Sequence, residues 1–313
     1  MYPRILGICY GGHDTSAALV VGGKLIAACE QERYSLDKHS RQFPIDAIND
    51  CLRIAGLSME DIDEIAYTFD PLLRVRDGYL KPAMEDRERI QVLIDDIDVL
   101  SKVFTVEKTI REKTGFQGPI SCHQHHHCHL TGAYVQSGFK QALLASYDGL
   151  GEAATSMLAI GDNGDVKIVD ESNNYPDSLG LIYNATTFYL GWKQNYDEGI
   201  IMGLACFGDP YAVIPGTNDT YYDIFADIIQ VTGPYSIKIN REWTCYYYMR
   251  DKWFSDRFYE LFGPKREYDE PILDYHRNIA AALQKRLEDV VVEQMRKARE
   301  EFGLSHLVLT GGV

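Results

Sequence analysis

The segment SerCysHisGlnHisHisHisCysHis, Ser121 to His129, holds five of the nine histidines of the chain within seven positions. Side chains four apart share one face of a helix, so His125 with His129, or alternatively His123 with His127, can grip one metal ion. His123 falls at the end of an expected strand, which favours the 125/129 pair. A carboxylate at a strand end is a suitable third ligand, and Asp148 stands at the mouth of a glycine loop. Two imidazoles and one carboxylate leave coordination positions open, which suits iron, zinc or manganese polarising a carbonyl or phosphoryl oxygen. Asp148 has two other readings on sequence grounds: an Asx turn before Gly149, or a magnesium-phosphate contact of the kind a sugar kinase makes.

A second group with chemical potential lies near the start of the chain, where His13 and Asp14 follow Gly11-Gly12. An imidazole titrates near pH ~6.5 and can act as general base at neutral pH, with Asp14 orienting it or capping the turn. Lys38 and His39 sit on a charged loop that can reach the same cleft and bind an anionic leaving group, or be solvated surface.

These residues need elements to position them. Arg4–Cys9, Thr15–Val21 and Lys24–Cys29 read as three antiparallel strands, the last two joined by the primed turn that Gly22-Gly23 permits. GluGlnGluArg (30–33) through His39 reads as a charged loop. Pro44 opens a helix whose apolar stripe Ile45, Ile48, Cys51, Leu52 and Ala55 runs to Gly56; Ser58 and Asp61 start another, and Ile65–Phe69 is a strand. Residues 71–113 are charge-rich with helical spacing, Gly115–Cys122 reads as a strand, and His125–Gln136 as a helix ended by Gly138.

The opening pattern then repeats. Ala142–Tyr147 is a strand, Asp148-Gly149-Leu150-Gly151 a glycine loop, Ala154–Ile160 a strand, Asp162-Asn163-Gly164 a turn and Asp165–Val169 a strand. Two copies of strand, glycine loop, strand, turn, strand point to an internal duplication. The expectation is an α/β protein of two-lobed actin/sugar-kinase-like (ASKHA, RNase H-like duplicated) architecture, whose glycine loops cradle nucleotide phosphates. The first lobe spans 1–139 with helices inserted around 71–113, and the second spans 140–313. A long amphipathic helix around Ile279–Met295 and a strand His306–Leu309 precede Thr310-Gly311-Gly312-Val313, a strand-to-helix turn, so the second lobe is expected to be incomplete here.

Composition narrows the partners. There are 31 basic against 46 acidic residues, a formal net charge of −15, which repels polyanions; no nucleic-acid partner is expected. No apolar run approaches the ~18 residues of a membrane span and no targeting segment opens the chain, so no membrane partner is expected and the cytoplasm is the expected address. Seven cysteines without a Cys-x-x-Cys pair argue against a disulfide framework or a thiolate zinc site.

Taken in order, the motifs resemble those of the NodU, CmcH and TobZ group of O-carbamoyltransferases, whose N-terminal domain is related to the tRNA threonylcarbamoyl transferases. The matching stretches are Leu6–Ala17, Glu30–His39, His125–Tyr134, Asp148–Glu152, Ser178–Gly180 with Tyr183, Tyr189–Gly191, Glu198-Gly199 with Met202–Ala205, and the terminal GlyGlyVal. Ile200-Ile201 departs from the Glu-Gly-Lys run usual in the family, as His127 and Cys128 depart from small apolar residues.

The resemblance implies that His125, His129 and Asp148 hold a metal, iron above all, with a further aspartate beyond Gly-Gly-Val. It implies a carbamoyladenylate, derived from ATP and carbamoyl phosphate, bound between lobes at the glycine loops (Gly11, Gly12, Gly149, Gly151, Glu152, Gly311 and Gly312). His13, with Asp14 and Lys38 nearby, would activate the hydroxyl of a small-molecule acceptor, a sugar or natural product. A C-terminal YrdC-like domain makes carbamoyladenylate in such enzymes and is absent from this chain. Two rival readings are an ATP-dependent phosphotransferase of sugar-kinase type, which has no use for His125 and His129, and a nucleotide- or metal-binding fragment without turnover.

Overall fold

A computed structural model describes residues 2–313. The chain divides into two compact units, Met1–Cys128 and His129–Val313, and the division falls inside one continuous helix, His125–Ser137.

In the first unit the strands β1 (Arg4–Cys9), β2 (Ser16–Val21) and β3 (Lys24–Glu30) form an antiparallel meander, extended on the other side of β1 by β4 (Glu64–Tyr67) and β5 (Ile120–Cys122), both parallel. The order is β3-β2-β1-β4-β5. Gly22 and Gly23 both take positive φ (59° and 76°), as the primed hairpin turn requires. Alternate residues of β1 and β2, Leu6, Ile8, Ala17 and Leu19, are buried against Ile48, Cys51 and Leu52 of the helix Ile45–Ala55.

The second unit repeats the scheme. β6 (Gln141–Tyr147), β7 (Ser156–Asp162) and β8 (Asp165–Asp170) form an antiparallel meander, and β11 (Leu307–Thr310) lies parallel to β6 on its far side. The expected duplication is therefore visible in the connectivity of two mixed sheets, and the α/β class stands. β6 is buried along Ala142–Tyr147, as a central strand covered on both faces must be. One face packs on the helices Leu179–Tyr189 and Asp274–Phe302. At 29 residues the latter is about 43 Å long at ~1.5 Å per residue. A short hairpin, β9 (Ile229–Val231) with β10 (Ile237–Ile239), completes this unit.

Four local expectations differ from what is observed. The charged segment after β3 is not wholly a loop: Glu32–Ser35 makes one helical turn, whose buried Glu32 binds the following loop. The helix start at Ser58 stops after a single 3₁₀ turn, Met59–Asp61, closed by a reciprocal Ser58–Asp61 cap. The strand expected over 115–122 shrinks to Ile120–Cys122, because Gly115, at φ 74°, caps the preceding helix. β7 begins at Ser156, two residues late, since Ala154 and Thr155 serve the glycine loop: Gly151 N–H donates to Ala154 O and Asp148 N–H to Thr155 O. Among the described residues no helix is long and apolar enough to cross a membrane.

Candidate metal centre and imidazole group

The helix His125–Ser137 carries the histidines. Its buried Leu130 and Tyr134 pack with Leu144, Met157 and Ala159 of the second sheet, and its last turn closes at Gly138, φ 70°. Tyr134 can lie so close because position 161 is glycine: a Cβ there would stand 2.6 Å from the tyrosine ring. The hydroxyl of Tyr134 donates to Lys140 O at 2.7 Å, fixing the rotation of the helix and the direction of His129. At its other end the ring of Phe69 stacks on His125, centroids 4.6 Å apart and planes 13° off parallel.

Asp148 is placed by the loop after β6. Its Oδ1 accepts from Gly149 N–H at 2.7 Å, which aims Oδ2 at His129 Nε2, 3.2 Å away. The Asx turn and the approach to the histidine thus coexist. Behind the loop, Ser178 caps the helix Leu179–Tyr189: its hydroxyl accepts from Leu181 N–H and donates to Gly149 O at 2.8 Å. Gly180 is the contact point, since a Cβ there would lie 2.7 Å from Gly149 N and 2.8 Å from its Cα. Gly312 comes equally near, its Cβ direction meeting Asp148 Oδ1 at 3.0 Å, and Gly311, φ 104°, packs directly on Tyr147 O.

His125, His129 and Asp148 each offer one ligand atom, and these atoms lie within 4.8 Å of one another. All three side chains are half-buried. Two nitrogens and a carboxylate oxygen at this spacing fit a first-row transition metal with open positions. The other sequence candidate, His123, is engaged elsewhere: its Nε2 shares a 2.9 Å hydrogen bond with Ser121 Oγ. His127 points to solvent.

In the first unit His13, Asp14 and His39 converge. His13 Nδ1 is 2.6 Å from Asp14 Oδ2 and His39 Nδ1 is 2.8 Å from Asp14 Oδ1. Burial pushes the Asp14 carboxyl up, but the hydrogen bonds from His13 and His39 outweigh it and leave the group below its usual range. Gly11, at φ 101°, makes the turn from β1, and space beside Gly12 is open. Lys38 is tied to Glu32, Nζ to Oε1 at 2.9 Å, while Glu32 Oε2 accepts from His39 N–H at 2.9 Å. The lysine side chain pulls the Glu32 carboxyl down, helped by the His39 N–H. In the second glycine loop Gly151 and Glu152 are buried, so this loop is a packed turn.

Glu32, Ser178 and Gly180 were readable only as parts of longer motifs. Their partners at Lys38 and Gly149 lie 6 to 31 residues away along the chain, and no local periodicity marks such contacts.

Residues 4–313 match the family model described as carbamoyltransferase N-terminus. An uncharacterized protein of Synechocystis is 34% identical over 99% of this chain and 50% of its own length. Nodulation protein NolNO of Sinorhizobium fredii is 31% identical over 96% of this chain and 40% of its own. Among solved structures, T. kodakarensis HypF aligns over 99% of this chain and 42% of its own with 12% identity and a TM-score of 0.44. The ROK hexokinase of Thermus thermophilus covers 99% and 82% with 13% identity and a TM-score of 0.34. The chain belongs to the carbamoyltransferase family and corresponds to its N-terminal region. It spans half or less of the length of these two curated relatives.

Proposed function

We propose that this chain carries the acceptor-transfer centre of an O-carbamoyltransferase, moving a carbamoyl group from carbamoyladenylate to a hydroxyl of a sugar or natural product. The observation that carries the reading is the His125, His129 and Asp148 group within a chain that matches the family over 4–313. An iron, zinc or manganese ion held there would supply Lewis-acid polarisation of the carbamoyl carbonyl.

The chain's own residues do the rest. Asp14 accepts the Nδ1 proton of His13, so Nε2 of His13 presents its lone pair and takes the proton of the acceptor hydroxyl. The acceptor oxygen bonds to the carbamoyl carbon, the bond from that carbon to the AMP phosphate oxygen breaks, and AMP leaves with the electron pair. Gly11, Gly12, Gly149, Gly151, Gly311 and Gly312 carry no side chain to obstruct the nucleotide, with Glu152 beside them, while the N–H groups of Gly149 and Gly151 hold the second loop in shape through Asp148 Oδ1 and Ala154 O. Lys38 is the cation at hand for the leaving phosphate. Synthesis of carbamoyladenylate from carbamoyl phosphate and ATP belongs to a YrdC-like domain, and cytoplasmic ATP supplies it.

The test is AMP release from preformed carbamoyladenylate by the metal-loaded chain, with and without a panel of sugar hydroxyl acceptors. Acceptor-stimulated release, lost in His125→Ala/His129→Ala and in His13→Ala, is the expected result. ADP formation from ATP with magnesium alone, unchanged in the double variant, would establish the phosphotransferase reading instead. Bound nucleotide without any turnover would establish the binding fragment.

A further inference from the structure

The group formed by His13, Asp14 and His39 contains one imidazole more than a base and its orienting carboxylate need. Its spacing separates two uses. Across a tetrahedral metal with bonds of about 2.0–2.1 Å, two ligand atoms stand roughly 3.3 Å apart. The 3.2 Å between His129 Nε2 and Asp148 Oδ2 fits that separation. The 2.6 and 2.8 Å contacts of Asp14 are too short for it and fall in the range of charge-assisted hydrogen bonds. An ionised carboxylate only accepts, so both contacts require a proton on Nδ1 of each ring, which leaves each Nε2 bare while the ring is neutral.

The third member is held firmly. His39 takes a left-handed backbone conformation (φ 56°), fixed by its N–H to Glu32 Oε2, and the side chain of Glu32 is only 6% exposed. The loop bearing His39 is latched to the loop bearing His13. Thr15 N–H donates to Ser40 O, the Thr15 hydroxyl to Gln42 O at 2.7 Å, and Gln31 N–H to Thr15 O. Asp14 is itself left-handed (φ 57°), with one carboxylate oxygen committed to each ring. The carboxylate cannot rotate toward or away from His13 without breaking the bond to His39.

We infer that His39 is a positioning residue: through Asp14 it locks His13 in the Nδ1–H tautomer, with Nε2 as the proton acceptor. Its catalytic meaning rests on the carbamoyl-transfer reading, but its test does not. In the full chain with ¹⁵N-labelled histidine, long-range ¹H–¹⁵N spectra at neutral pH distinguish the protonated ring nitrogen; the rings are assigned with His13→Gln and His39→Gln. The expected result is Nδ1–H on both His13 and His39. In His39→Ala the Nδ1–H form of His13 gives way to the Nε2–H form that a free imidazole prefers. In His39→Asn or His39→Gln, whose amide N–H can replace the lost donor, it is restored.

A wild-type His13 in the Nε2–H form, or a His13 tautomer indifferent to His39→Ala, would overturn the inference. So would loss of both Nδ1 protons when zinc is added to His125→Ala/His129→Ala, since that would make the group a metal site. Should His39→Ala fail to fold, the wild-type tautomers and the zinc titration still decide. No turnover enters the readout, so failure of the carbamoyl-transfer reading would show in the AMP assay and leave this result untouched.

Discussion

Asp148 does two jobs with two oxygens: Oδ1 closes the turn onto Gly149 N–H and Oδ2 faces His129. Asparagine preserves the first and replaces the anionic ligand of the second with a neutral amide. Asp148→Asn should therefore keep the fold and lose metal affinity by roughly tenfold or more, and His125→Ala/His129→Ala should abolish binding. Metal content after anaerobic purification, with melting temperature as the control for folding, checks both. Full metal occupancy in the double variant would remove these residues as the ligands. At this scale the candidate was legible: five histidines in seven positions mark the segment as a possible ligand cluster without any structure. Which pair points inward was decided by packing, since Ser121 engages His123 while Phe69 and the buried face around Leu130 and Tyr134 orient the helix.

Two elements carry consequences beyond their own sequence. The helix Leu179–Tyr189 meets the Asp148 loop at Gly180, where an added methyl would collide with the backbone of Gly149. Gly180→Ala gains helix propensity of about 1 kcal/mol, yet it must push the loop away from Ser178 and so displace Asp148. Reduced metal affinity with little loss of helix content is expected, read by metal titration and far-ultraviolet circular dichroism. Wild-type affinity would show that the loop yields freely.

The helix Asp274–Phe302 begins with a buried histidine that stays neutral. His276 Nδ1 accepts from Leu273 N–H at 3.0 Å, and burial, helped by Arg266, lowers its pKa from 6.5 to about 4. The unfolded chain binds this proton at a higher pH than the folded one. The stabilisation is thus full above pH 6.5 and is lost as pH falls toward 4, a difference of roughly 3 kcal/mol. All three tryptophans (192, 243 and 253) lie in the second unit, so denaturation followed by tryptophan fluorescence reports on it. His276→Gln should flatten the slope between pH 6.5 and 4; an unchanged slope would exclude this histidine as its source.

At the scale of the whole molecule the two units share a connectivity, and among the described residues the stretch 71–114 joins the core of the first sheet through Val106 and Ile110 alone. Its short helices bury Val92, Leu100, Val106 and Ile110, whereas Leu72, Met84, Ile94, Ile97 and Phe104 are more than half exposed. A segment with so little buried apolar surface opens locally at low free-energy cost. Amide exchange over 71–105 should be complete long before that of Ile279–Ala298, whose inner face is buried throughout. Equal protection in both would require cover for those apolar side chains.

The sequence by itself determined the parts ruled by local chemistry. Alternation made the meanders, Gly22-Gly23 and Asn163-Gly164 made their turns through positive φ, and the stripe at Ile279, Leu283 and Val290 made the long helix. Repetition of one strand-loop-strand scheme exposed the duplication, and the ordered motifs exposed the family. Tertiary structure alone decided what depends on residues distant along the chain. It joined His39 to Asp14 across 25 positions, and so to His13, and it seated the Asp148 loop against Gly180. Hydrogen bonds and close approaches of this kind arise when packed elements meet, so they leave no period or spacing in the sequence from which they could be read.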